Sequence, residues 1–212
     1  MTVKATSALS ILAIWVASIT AVAIESDSWW ILIFTLLATG AVGLSAWRRL
    51  GISRVIALVG TWAGLGIAAA SEGNAAWASV FAFLTTGAVV YGTMKRDAWQ
   101  LGVGIAAAWL ATGLCIAAEG PGVTWMSVFA FLTAGAVANS HNETARGVAA
   151  TVWWTAAGVL VLLFGGGFAW LSVIAFVLTA ASIGIGGFDF PKRLEWDLWD
   201  RDDDSERVKV VR

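Results

Sequence analysis

One cysteine, one histidine, one tyrosine and two prolines occur in 212 residues, and charged side chains make up 13 % of the chain. A single cysteine rules out an internal disulfide, and Cys115, inside an apolar run, is expected to pack as a small apolar residue. The lone His141 stands beside Asn139, Ser140 and Asn142 and reads as part of a solvated turn rather than a metal ligand. Catalysis has almost no material here, so neither an enzyme activity nor a cofactor is implied. No Asp, Glu, Lys, Arg or His lies in the central part of any apolar run. Ionisable groups at that depth mark proton relays, ion paths and coupled transport. Their absence argues against a proton-coupled pump or antiporter and leaves a pore for a neutral solute open. No basic patch is large enough to suggest nucleic acid.

What the chain does have is apolar length. It is 59 % hydrophobic, with 23 Gly and 14 Trp. A bilayer hydrocarbon core of about 30 Å is crossed by about 20 residues of helix. Runs of that kind lie near 5–24, 28–47, 53–71, 76–94, 98–118, 124–140, 147–165 and 168–187. They predict an all-α polytopic bundle of about eight spans, with connections too short to hold a soluble domain. The alternating polar letters of a membrane β-barrel are missing. The first run, with one Lys and no convincing cleavage site before the second, reads as a span rather than a removable signal.

Charge sets the orientation. Lys4, Arg48, Arg49, Arg54, Lys95, Arg96, Arg146, Lys192 and Arg193 fall on one side of the predicted spans, as do the four further basic residues of the tail. The opposite loops hold Glu25, Asp27, Glu72 and Glu119 with no Lys or Arg. By the positive-inside rule both termini are cytoplasmic, and the inner face suits anionic lipid headgroups. Four Lys against nine Arg fits a GC-rich prokaryote, which places the chain in a prokaryotic plasma membrane. Asn142-Glu143-Thr144 matches the glycosylation pattern, but on the cytoplasmic side it goes unused.

The chain also repeats itself. WASVFAFLTTGAVV (77–90) returns as WMSVFAFLTAGAVA (125–138), with eleven of fourteen letters unchanged. Trp15, Trp62 and Trp109 are 47 apart, as are Glu25, Glu72 and Glu119. Trp30, Trp77, Trp125 and Trp170 open the even-numbered spans, Ser79, Ser127 and Ser172 follow such a Trp by two, and Gly40, Gly87 and Gly135 follow by ten. The pattern is a two-helix hairpin of about 47 residues written four times, over approximately 1–47, 48–94, 95–141 and 142–187, with a charged tail at 188–212. A two-span unit returns to its starting side, so the copies share one orientation. This differs from the inverted repeats of many transporters and suggests hairpins related by an axis along the membrane normal. Gly60 and Gly64 share one helix face, and the runs at 102–108 and 134–138 offer further small-residue stripes, which favour close helix contact in lipid. The recurring Thr39, Thr86 and Thr112 can bond to their own helix or to a neighbour.

Trp inside the first helix of a hairpin and another Trp opening the second resembles the SPW-repeat membrane proteins. The resemblance rests on RDAWQLGVGIAAAWLATGLCIAAEGPGVTWMSVFAFLTAGAV (96–137) and its echoes, and covers most of 1–187 in layout. The Ser-Pro-Trp tripeptide itself does not occur in the four copies. The resemblance implies tandem membrane hairpins and no particular activity.

Three sets of residues are candidates for function. Glu25, Glu72 and Glu119 would gather at the outer surface of a ring and attract or ligate a cation, or else simply end each apolar span in water; Gly166 holds the fourth position. Trp29, Trp30, Trp77, Trp125 and Trp170 form an interfacial aromatic belt. Trp15, Trp62, Trp109 and Trp153 or Trp154 lie near the bilayer centre, either packed against Gly and Ala or walling a pocket for a lipid, pigment or quinone-like molecule. In the tail, Leu194, Trp196, Leu198 and Trp199 alternate with charge after Pro191, as in a surface-lying segment, and a solvated DDDSER run follows. The first functional reading is a non-catalytic structural or accessory subunit that binds membrane lipids and a protein partner, or forms a homo-oligomer. The alternative is a passive channel or carrier for a small neutral solute, lined by the Thr and Ser rows.

Overall fold

The computed structural model describes residues 3–24, 29–45, 50–71, 75–94, 98–139, 144–164 and 169–185. Within them the chain is all helical. The elements are α1 (Val3–Ile24), α2 (Ile31–Ser45), α3 (Ile52–Ala70), α4 (Ala75–Tyr91), α5 (Trp99–Glu119), α6 (Met126–Ala138), α7 (Thr144–Phe164) and α8 (Leu171–Ile185), with a 3-10 turn at Pro121–Val123. Four helices are long and apolar enough to cross a membrane: Ala5–Ile24, Ile52–Ala70, Trp99–Glu119 and Thr144–Phe164. These are the odd-numbered ones. The even-numbered helices are apolar, and the described parts of α2, α6 and α8, at 15, 13 and 15 residues, are shorter than the spans the sequence suggested. The shortfall lies partly at the Trp that precedes each of these three. Trp30, Trp125 and Trp170 occupy an entry turn, and their carbonyls accept from the N–H three residues on at 3.0, 3.1 and 3.0 Å.

Local chemistry sets the ends that can be described. Gly120 stops α5 at φ 84°, a region that L side chains avoid, and its N–H bonds the Ile116 carbonyl at 2.8 Å. Pro121 then prevents the helix from resuming. At the far end of α4, the Arg54 guanidinium reaches across from the first turn of α3. Its Nε donates to the Val89 carbonyl at 3.0 Å, and Nη2 donates to the carbonyls of Gly92 and Met94 at 3.0 and 3.2 Å. A cation there meets the negative end of the helix dipole and occupies carbonyls that have no helical partner.

The helices form two rows. The odd row runs α1, α3, α5, α7, each helix packed on the next, and the even row runs α2, α4, α6, α8 in the same manner. Each even helix also packs on the odd helix that precedes it. The ends α1 and α7, and likewise α2 and α8, share no substantial interface. The hairpins therefore stand side by side in chain order instead of circling a common axis. The physical reason is visible in the odd row, where small residues lie on two opposite sides of the middle helices.

Three odd-row contacts share one register. Gly66 of α3 lies on Ala17 of α1, Gly113 of α5 on the Gly64 backbone of α3, and Gly158 of α7 on Ala111 of α5. Each glycine is four residues after the mid-helix Trp of its own helix, and each receiving residue is two after the Trp of the preceding one. Backbones come so close that a methyl added at Gly64 would run into the Trp109 carbonyl, and one at Gly102 into the Ser53 carbonyl. Gly60 faces Ala106 in the same interface. Gly40, Gly87 and Gly135 differ: a Cβ at any of the three would meet nothing within 4 Å. Their recurrence has no packing cause in the structure, unlike that of Gly60 and Gly64.

The even row has a register of its own, made of phenylalanines. Phe34 meets Phe83, Phe81 meets Phe131 and Phe129 meets Phe176, with ring centroids 5.7, 6.1 and 5.7 Å apart. In every pair the first ring is four residues after the Trp that opens its helix and the second is six after. Such tilted ring pairs contribute about 0.5–1.5 kcal/mol each beyond the area they bury.

The seam between the rows as candidate functional site

Between the rows runs a band of buried hydroxyls and indoles. Trp62, Trp109 and Trp154 are the largest fully buried side chains, at 0, 1 and 0 % exposure. Leaving a buried donor unbonded costs about 1–3 kcal/mol, and each of these indoles finds a threonine on the even row. Trp62 Nε1 donates to Thr86 Oγ1 at 3.0 Å, Trp109 Nε1 to Thr85 Oγ1 at 3.2 Å, and Trp154 Nε1 to Thr133 Oγ1 at 3.1 Å. Thr85 and Thr86 are neighbours in α4. Successive residues of a helix point about 100° apart, so one turns to α3 and the other to α5.

The supply of acceptors follows the sequence. The position of Thr85 is occupied by Ala38 in α2 and by Thr133 in α6; that of Thr86 is occupied by Thr39 and by Ala134. Trp62 thus turns to α4 because α2 offers Ala38, and Trp109 turns back to α4 because α6 offers Ala134. Most seam hydroxyls also bond within their own helix. Thr86, Thr112 and Thr179 donate to the carbonyls of Ala82, Ala108 and Ala175 at 2.9, 2.8 and 2.7 Å. Between α1 and α2, Thr35 and Ser18 lie 2.6 Å apart, hydroxyl to hydroxyl. The buried hydroxyls of Ser7, Thr39 and Thr61 make no hydrogen bond. Thr39 is the counterpart of Thr86, and Trp15, the counterpart of Trp62, is only half-buried on the outer helix of the row.

The four mid-helix tryptophans therefore divide. Three are sealed in the seam, and Trp15 sits at its edge. Trp153 is half-buried, with Nε1 3.4 Å from Ser182 Oγ. Of the belt set, Trp29, Trp77, Trp125 and Trp170 are exposed. Trp30 is half-buried and meets Phe34 edge to face, and Trp125 does the same with Phe129. Glu119 ends α5 and is half-buried. Glu25, Glu72, Gly166, His141 and the tail at 188–212 lie outside the described residues. Among the described residues no three of His, Cys, Asp and Glu come together as a metal site. Cys115 is buried beside Met126, Val161 and Ala169.

The sequence named Thr86 as able to bond a neighbour and counted Arg54 toward the orientation, but singled out neither Thr85 nor Thr133 and gave Arg54 no contact. The spacing from Trp carries a signal for all three. Arg54 is eight residues before Trp62, as Arg146 is before Trp154. Comparison with family models, with curated proteins and with solved structures gives no match.

Proposed function

We propose that the chain is a multi-spanning membrane protein of four tandem hairpins, both termini cytoplasmic, acting as a non-catalytic structural or accessory subunit that binds lipid and a protein partner. The observation that carries this reading is the use made of the seam. Its three buried indoles each take up a threonine hydroxyl, so Thr85, Thr86 and Thr133 are engaged in holding the two rows together and not in guiding a solute. The flanks point the same way. Leu12, Val16, Ile19, Leu36, Leu37, Leu44, Leu162 and Leu163 are all more than half exposed or at half, a surface suited to acyl chains and costly in water. Arg54, fixed on the carbonyls at the end of α4, fits an inner face carrying the basic residues.

The test is to purify the chain from its membrane in a mild detergent and ask what accompanies it. A stoichiometric partner, or a defined assembly, supports the reading. Solute flux through liposomes holding the purified chain alone would replace it with the channel.

A further inference from the structure

We infer that both ends of the two-row array are caps that take lipid acyl chains and not another copy of the chain, so that the protein is a finite plate of four hairpins. This rests on the membrane reading above. The interior interfaces state what a continuation would require. In the odd row, each incoming helix brings a glycine four residues after its Trp, namely Gly66, Gly113 and Gly158. The helix that would come next after α7 is α1 of a second copy, and at that position α1 carries Ile19, which is 57 % exposed. The receiving residue on α7, Ala156, is small and exposed, so the obstruction lies on α1. A methyl at this position already reaches contact with Ala17 in the first interface, crowds Ala111 in the third and strikes the Gly64 backbone in the second, so the three further carbons of an isoleucine hold the backbones apart and the interface is lost.

The even row breaks its own rule at both ends. Continuation from α8 would need a phenylalanine four residues after Trp170, where Ile174 stands exposed. Reception by α2 would need one six residues after Trp30, where Leu36 stands, 60 % exposed. Three departures from two independent registers thus fall on the terminal helices, and each puts a branched aliphatic side chain outward. Terminal units of stacked-repeat proteins differ from inner ones for this purpose. In a bilayer the outward face must be aliphatic, whereas a polar cap serves in water.

Cysteine cross-linking in native membranes tests this, in a Cys115→Ala background. In the interior, Gly102 lies against Ser53, and the same register in a head-to-tail pair of copies brings Ala8 of one chain to Ala145 of the next; both are exposed. The chain carrying Ala8→Cys and Ala145→Cys should give no disulfide-linked dimer above its single-cysteine forms. Adding Ile19→Gly, Leu36→Phe and Ile174→Phe restores both registers and should produce dimers and a ladder of higher species. An internal pair, Ala17→Cys with Gly66→Cys, reports folding in every background, since the Cβ at 66 would lie 3.6 Å from that of Ala17, within disulfide range. A ladder in the chain without the three changes overturns the inference by itself. So does a folded triple variant that stays monomeric. A chain absent from the membrane fraction would instead overturn the membrane reading, and the lipid assignment with it.

Discussion

Replacing Thr86 by Val removes one hydroxyl while keeping the shape of the side chain, and the seam gives the consequence. Trp62 Nε1 loses its acceptor at 3.0 Å in a site with no exposed surface. It cannot turn to α2, where the corresponding position is Ala38. A buried donor left unbonded costs about 1–3 kcal/mol in water-soluble proteins. Interhelical hydrogen bonds in membrane bundles average about 0.6 and reach about 1.7 kcal/mol. The expected loss is therefore about 1 kcal/mol, read by reversible unfolding in mixed micelles with increasing SDS. Thr86→Ser keeps the acceptor and should cost less. The sharper measurement is the cycle with Trp62→Phe, which removes the donor. In that background Thr86→Val should lose most of its effect, leaving a coupling of about 0.6–1.7 kcal/mol. Additivity of the two changes within about 0.3 kcal/mol would show that the indole does not depend on Thr86, and the view of the seam as a bonded joint would fall.

Two glycine sets should separate cleanly. Gly64→Ala and Gly113→Ala drive a methyl into backbone and should destabilise by about 1–3 kcal/mol, while Gly87→Ala and Gly135→Ala, with open space before them, should be neutral or stabilise by up to about 1 kcal/mol through helix propensity, all read in the same titration. Arg54→Gln removes the charge from the carbonyls of Val89, Gly92 and Met94, and should speed hydrogen exchange at the last turn of α4 without lowering protection in α7. Phe81→Leu should cost about 0.5–1.5 kcal/mol beyond its lost area by removing the ring partner of Phe131, and the same substitution at Phe131 should add only its own lost area in the double variant.

The helices were legible because apolar letters run in blocks of helical length, and the odd-numbered ones end within about three residues of where composition places them. Three of the even ones, α2, α6 and α8, begin two or three residues later than composition places them because tryptophan is apolar by composition, whereas Trp30, Trp125 and Trp170 stand in an entry turn. Gly60 and Gly64 were readable as a packing face, since a pair four apart has one meaning on a helix. The row arrangement was not. It depends on α3 and α5 having close-packing residues on two opposite sides, and one-dimensional periodicity does not say which helix meets which side. The acceptors of the seam were hidden for a related reason. Thr85 and Thr86 look like a doubled letter in one copy until the rows are known, and only then do Ala38 and Ala134 explain why two tryptophans turn to the same helix.

The seam, the caps and the flanks all require that lipid surrounds the helices and that hairpin ends alternate between two compartments. Single cysteines in a Cys115→Ala chain, probed in intact cells with a membrane-impermeant maleimide, test this most directly. Gly122, in the turn between α5 and α6, should label at once from outside, and Lys95, between α4 and α5, only after the cells are opened. Labelling of position 95 from outside, or equal labelling of both positions, would contradict it.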